Sequence, residues 1–101
     1  MGMDYVWSGS ASYPRFNKEI ENIVKVFGRK SIIEEPWFTF PEKTNTILVN
    51  WLNQPFNDLT EEETKVIWEA VRRYSEIKEI SWQIWNELEK CVEFESGWYI
   101  H

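Results

Sequence analysis

The apolar positions along the chain recur at helical spacing in three segments. The first segment opens with Pro14, which suits the first turn of a helix, and closes at Gly28, a typical residue after a helix end. Between them, apolar residues lie three or four positions apart: Phe16, Ile20, Ile23, Val24 and Phe27. We therefore predict a helix over residues 14–27, preceded by Ser12 or Tyr13.

A second, shorter helix is predicted over residues 44–55. Thr44 or Asn45 can cap its start, and Pro55 closes it. Its apolar side consists of Ile47, Leu48, Trp51 and Leu52.

Residues 31–42 have a different pattern, rich in β-branched and aromatic side chains and interrupted by Pro36 and Pro41. Because proline cannot donate to a sheet, this stretch predicts an edge strand or an extended loop. Its aromatic residues are expected to anchor it on the core: Trp37, Phe38 and Phe40.

The longest apolar stripe follows a capping box, in which Thr60 is the N-cap and Glu63 reaches back to it. The stripe consists of Ile67, Ala70, Val71, Tyr74, Ile77, Ile80, Ile84, Leu88 and Cys91. The direction of the stripe around the helix axis shifts near Ser75. The segment is therefore either one bent helix or two helices, and we favour a bend or short break there.

Short strands are predicted at the two ends of the chain. Residues 4–7 read as a strand that ends before Gly9, and residues 98–100 are placed to pair with it. The expected fold is a single α+β domain, mainly helical. It has three or four helices, with short strands near the termini and around residues 31–40.

Composition supports a folded domain. The chain has 101 residues, of which 17% are aromatic and seven are tryptophan, more large rings than a disordered chain carries. The single Cys91 forms no internal disulfide, which fits a reducing, cytoplasmic setting. The sequence shows neither a signal peptide nor an apolar run long enough to span a membrane.

Charge is distributed unevenly. The formal net charge is −6, and the whole excess of acidic residues lies in residues 51–101. Direct nucleic-acid binding requires a cationic stripe, which the sequence lacks, whereas a negative field attracts cationic partners. The alternative interpretation is that modest acidity only keeps a small protein soluble.

One tryptophan does not fit the apolar stripe. At roughly 100° per residue, Trp82 falls on the side of its helix opposite Ile84 and Leu88. Its expected neighbours are polar: Glu79, Asn86, Glu89 and Glu93. Either another segment covers this ring, or it is an interface anchor among carboxylates that attract arginine or lysine.

Enzymatic chemistry has little support in the sequence. The only histidine is His101, the last residue, and Cys91 lies on the apolar stripe, where an inert buried thiol is expected. Carboxylate pairs such as Glu87 and Glu89 read as a solvated helix face rather than an acid–base pair. We expect no enzyme activity, no metal site and no cofactor.

The leading hypothesis is a non-enzymatic inhibitor that occupies a cationic surface of a protein partner, such as a nuclease or another nucleic-acid-binding protein. Its partner-binding residues would be Trp82, Glu79, Asn86, Glu89 and Glu93. In composition the chain resembles small acidic phage inhibitors of host defence, among them anti-CRISPR proteins, and immunity proteins that block toxic nucleases. Alternatives are a structural or accessory interaction protein, a homodimer or other homo-oligomer subunit, and a carboxylate-based enzyme.

Overall fold

A computed structural model describes residues 2–29 and 40–101 of the protein, with the side chain of Arg29 excluded. These ranges contain two strands and five helices: β1 (Gly2–Asp4), β2 (Ser10–Ser12), α1 (Tyr13–Arg29), α2 (Glu42–Asn53), α3 (Glu61–Val71), α4 (Glu76–Ile80) and α5 (Trp82–Glu93). The prediction of a mainly helical α+β fold is confirmed. The strand predicted around residues 31–40, with Trp37 and Phe38, lies outside the described residues.

The starts of α1 and α3 follow the local sequence. The hydroxyl of Ser12 accepts from the backbone N–H of Arg15 at 3.3 Å, which makes Ser12 the N-cap of α1. At α3, the Thr60 hydroxyl accepts from the Glu63 N–H at 3.1 Å, and the Glu63 carboxylate accepts from the Thr60 N–H at 3.0 Å. The predicted capping box is thus present.

Helix α2 begins earlier than predicted. It starts at Glu42 after Pro41, and no side-chain hydrogen bond caps it. The predicted cap Asn45 lies inside the helix, where its buried amide donates to the carbonyl of Phe40 at 3.4 Å. The helix ends at Asn53, before Pro55, as expected.

The C-terminal stripe is divided twice, so the prediction of three or four helices was too low. Residues 72–75 form the expected break, and a second break falls at Ser81, between α4 and α5. At the second break, the buried Ser81 hydroxyl donates to the backbone carbonyl of Glu19 in α1 at 3.0 Å. As a consequence, Ile80 is exposed rather than part of the core.

Strand β1 pairs on both of its edges. It is antiparallel to β2, with Met3 opposite Ala11. On its other edge, Asp4 and His101 exchange backbone hydrogen bonds of 2.8 and 3.1 Å, next to a bridge between Tyr5 and Ile100. The predicted pairing of the two chain ends is present over a shorter length.

Trp98 fixes the C-terminal segment in the core. Its indole N–H donates to the Pro55 carbonyl at 2.7 Å, and its backbone N–H donates to the Thr64 hydroxyl at 2.8 Å. Its ring meets that of Trp51 edge-on, with centroids 5.3 Å apart. The preceding Gly97 is required sterically, since a Cβ there would collide with the carbonyl oxygen of Leu59.

Helices α3 and α5 pack against each other. The rings of Trp68 and Trp85 meet edge-on at 4.9 Å, and Leu59 N–H donates to the Trp98 carbonyl at 3.0 Å. These contacts place the start of α3 beside the end of α5. Among the helices of residues 2–29 and 40–101, none is long and apolar enough to cross a membrane.

Candidate protein-binding surface

Trp82 is the first residue of α5, and its ring is 52% exposed. The guanidinium carbon of Arg15, from α1, lies 5.7 Å from the ring centroid. The same guanidinium pairs with the carboxylate of Glu19 at 3.6 Å. A cation of the same chain therefore lies against this indole.

Two of the predicted carboxylates share the exposed side of α5 with Trp82. Glu89 and Glu93 are exposed, and helical spacing places them along the line that starts at Trp82. We call these three residues the outer face of α5. Glu93 pairs with Lys90 at 3.3 Å, whereas Glu89 has no ion pair within the described residues.

The other two predicted site residues have different positions. Glu79 belongs to α4, so the break at Ser81 removes the helical spacing that predicted it beside Trp82. The side-chain amide of Asn86 donates to the Ser8 hydroxyl at 2.8 Å. Asn86 therefore positions the turn of residues 5–9 and is only in part available to a partner.

A buried carboxylate holds the same turn. Glu87 is fully buried, and its two oxygens accept from the backbone N–H groups of Val6 at 3.1 Å and Trp7 at 2.9 Å. Gln83 adds two bonds of 3.0 Å, to the carbonyls of Ser8 and Ser10. Glu87 is thus not the solvated partner of Glu89 that the sequence suggested.

The turn places the Trp7 ring against Phe94, just after the end of α5. The rings of Trp7 and Phe94 stack with centroids 4.6 Å apart and planes 26° apart. They remain 41% and 52% exposed, respectively. Sequence reasoning missed this aromatic pair because one ring was assigned to a strand and the other lies just beyond the apolar stripe.

The residue after Phe94 has an unfavourable backbone conformation. Glu95 has φ of 55°, in the left-handed region that glycine normally occupies after a helix. The Ser96 N–H donates to the Cys91 carbonyl at 2.8 Å and the Glu95 N–H to the Val92 carbonyl at 3.2 Å, which completes a Schellman motif. A glutamate therefore stands where glycine would be more stable.

A buried carboxylate of α1 lies beside the start of α5. Neither carboxylate oxygen of the buried Glu19 completes a hydrogen bond within the described residues, yet the group faces the first turn of α5. Burial raises the pKa of Glu19, while Arg15 and the backbone N–H groups of Ile84 and Gln83 oppose that rise. Its charge interacts favourably with the positive end of the helix dipole.

The Cys91 thiol and the Tyr5 hydroxyl belong to buried residues. Burial, followed by the nearby carboxylate of Glu87, raises the pKa of Cys91 to about 11, so its thiol stays protonated at neutral pH. Burial beside the carboxylates of Glu19 and Glu87 also raises the pKa of Tyr5. In the two described ranges, no cluster of three or more His, Cys, Asp or Glu side chains is placed to hold a metal.

Comparison with known proteins gives no relative from which to transfer a role: no family model matches the chain, and no curated protein or solved structure shows a significant match.

Proposed function

We propose that the protein is a non-enzymatic binding protein that occupies a cationic surface of another protein through the outer face of α5. One observation carries this proposal. An exposed tryptophan and two glutamates share one helix face, and the glutamates lie toward the negative end of the helix dipole, where their charge is unfavourable. Features that cost stability are typical of functional surfaces.

The two kinds of side chain have complementary roles in binding. Tryptophan is prominent among residues that dominate interface energies, because it buries a large rigid ring. Carboxylates around such an anchor increase the association rate with a cationic partner and disfavour acidic ones. The excess negative charge of residues 51–101 extends this attraction beyond the contact itself.

A different protein is favoured over a second copy of this chain. In a symmetric dimer the same patch meets itself, so Glu89 and Glu93 would face identical carboxylates. Like charges brought together in an interface cost several kcal/mol. The outer face of α5 is therefore better suited to a basic partner than to self-association.

Surfaces that bind nucleic acid concentrate lysine and arginine more than most protein surfaces do. We therefore propose a nuclease or another nucleic-acid-binding protein as the partner, and inhibition by occupation of its nucleic-acid site. A phage anti-defence protein and a toxin-immunity protein are two biological roles with this mechanism.

The first test is affinity enrichment from cell lysate with matched charge-reversal variants. Glu89→Lys/Glu93→Lys reverses charge on the outer face, and Glu21→Lys/Glu42→Lys makes the same net change at exposed positions of α1 and α2. The expected partner is retained by the wild-type protein and by the control variant, and lost with the first. Retention by all three proteins would exclude the outer face of α5.

The second test uses the purified partner. Its nucleic-acid affinity is measured by fluorescence anisotropy at low salt as this protein is added, and competition is expected. Trp82→Ala should weaken the complex by about 2 kcal/mol if the ring is an anchor. If the partner binds nucleic acid and this protein simultaneously, inhibition by occupation is wrong.

A further inference from the structure

The aromatic pair of Trp7 and Phe94 is not used by the proposed contact at Trp82. It lies at the far end of α5, where Phe94 directly follows Glu93 and precedes Glu95. Both rings keep a large exposed area although they stack on each other. Two exposed aromatic rings in contact, with a glutamate on each side of Phe94 in the sequence, form an apolar surface within an acidic segment.

This arrangement is held in place rather than left mobile. Glu87 accepts from the N–H groups of both Val6 and Trp7, and Asn86 binds the side chain of Ser8. These contacts tie the turn of residues 5–9 to α5 immediately before the stack. The position of Trp7 is therefore fixed before any partner binds, which lowers the entropy cost of binding.

The position of Lys90 shows that a cation can lie over the Phe94 ring. Its ammonium lies 5.9 Å from the centroid of Phe94 and 3.3 Å from the carboxylate of Glu93. A cation is thus already seated over the aromatic ring and paired with an adjacent carboxylate. The same combination of ring and carboxylate suits a cation supplied by another protein.

We infer that the aromatic pair is a seat for an arginine side chain of the cationic partner, with Glu93 and Glu95 as its ion-pairing groups. This inference rests on the proposed function and adds the residue type that is recognised. A planar guanidinium stacks on an aromatic face while it donates to carboxylates, whereas a lysine ammonium acts as a compact point charge.

The backbone of Glu95 agrees with this assignment. A glycine at this position would relieve the left-handed strain, but it would remove a carboxylate next to Phe94. The strained glutamate keeps a negative charge at the position that follows Phe94.

The experiment compares a peptide of eight arginines with a peptide of eight lysines, so that attraction due to net charge cancels. Affinities are measured by calorimetry at low salt for the wild-type protein and for Phe94→Leu, which keeps an apolar side chain but removes the aromatic face. The wild-type protein should bind the arginine peptide more tightly than the lysine peptide. Phe94→Leu should lower the affinity for the arginine peptide by about tenfold and change the affinity for the lysine peptide by less than about twofold. Phe56→Leu is the matched control, since Phe56 is a similarly exposed aromatic residue packed on Phe16 instead.

Lys90→Gln provides an independent check. It removes the internal cation over Phe94, so the arginine peptide should bind more tightly to this variant. In NMR spectra, the indole N–H of Trp7, assigned by its loss in Trp7→Phe, should shift with the arginine peptide.

The outcomes separate the two proposals. If Trp82→Leu, and not Phe94→Leu, removes the arginine preference, the seat is wrong and the outer face of α5 remains the binding surface. The same conclusion follows if Phe94→Leu retains the preference. If reversal of Glu89 and Glu93 weakens neither peptide more than reversal of Glu21 and Glu42 does, both the seat and the proposed surface are wrong.

Discussion

Helices α3 and α5 pack against each other, but their ends and charges are arranged in opposite ways. Helix α3 begins with a complete capping box and has three glutamates in its first turn, where the dipole favours them. Helix α5 has no acidic residue in its first turn and no side-chain N-cap of its own. Its exposed glutamates lie toward the opposite end, followed by the strained Glu95.

The two helices differ in how many of their exposed features stabilise the folded state. The capping box and the acidic first turn of α3 lower the free energy of its folded state. The ion pairs Lys65–Glu61 at 3.2 Å and Arg72–Glu69 at 3.5 Å add smaller contributions. The outer surface of α5 instead combines exposed rings with charges that its dipole disfavours. This contrast is the one expected if α5 binds a partner as proposed.

The largest expected effect comes from the carboxylate that ties α5 to the turn of residues 5–9. Glu87→Ala leaves two backbone N–H groups without their charged acceptor and should lower the free energy of unfolding by about 3 kcal/mol, measured by urea denaturation. Glu87→Gln keeps one acceptor and should lose less. A loss below about 1 kcal/mol for Glu87→Ala would show that the turn does not depend on this carboxylate.

Substitutions at the start of α3 and just after the end of α5 should change the free energy of unfolding in opposite directions. Thr60→Ala removes the N-cap of α3 and should destabilise the protein by about 1 kcal/mol. Glu95→Gly relieves the left-handed strain after α5 and should stabilise it by about 1 kcal/mol. Thermal denaturation of both variants checks the signs.

Glu95→Ala is the control for the second change. It removes the same charge but keeps a Cβ in the left-handed conformation, so its stability should stay below that of Glu95→Gly. Equal stabilities for the alanine and glycine variants would show that charge, not backbone strain, accounts for the effect.

The features of α3 were readable from the sequence because they depend on local spacing. Thr60 and Glu63 lie three positions apart, and the burial of Ile67 and Val71 follows from helical periodicity. The exposure of Trp82 obeys the same arithmetic.

The features of α5 that the sequence did not reveal depend on distant contacts. At the break between α4 and α5, the Ser81 hydroxyl binds a carbonyl of α1, and no local pattern predicts this bond. Glu87 looked like half of a solvated acidic pair, but backbone N–H groups from the other end of the chain bury it. The aromatic pair was missed for the same reason, since its two rings belong to opposite ends of the sequence.

A smaller contrast concerns single charges. Glu62 lies in the first turn of α3 and Glu89 toward the end of α5, and both are exposed without an ion pair among the described side chains. At low salt, Glu62→Gln should lower the free energy of unfolding by about 0.5 kcal/mol, and Glu89→Gln should raise it by about 0.3 kcal/mol. Both changes relieve the net negative charge equally, so their difference reports the helix end, and equal shifts would contradict a dipole effect.

The last contrast is confined to acidic pH and concerns the carboxylate of α1 that lies at the start of α5. Because burial raises the pKa of Glu19, the folded protein binds a proton there more readily than the unfolded chain does. Its contribution to stability therefore increases as pH falls through the raised pKa toward the ordinary glutamate value of about 4.3, and decreases as pH rises. Glu19→Gln removes this contribution, so the stability of the wild-type protein relative to the variant should increase as pH falls over that window.

Urea denaturation at several pH values measures the difference, with Glu21→Gln, an exposed position on the same helix, as the control for loss of one charge. A difference that stays constant with pH, or that changes equally for the control, would mean that Glu19 titrates alike in the folded and unfolded chains, so that Arg15 and the start of α5 fully offset the effect of burial.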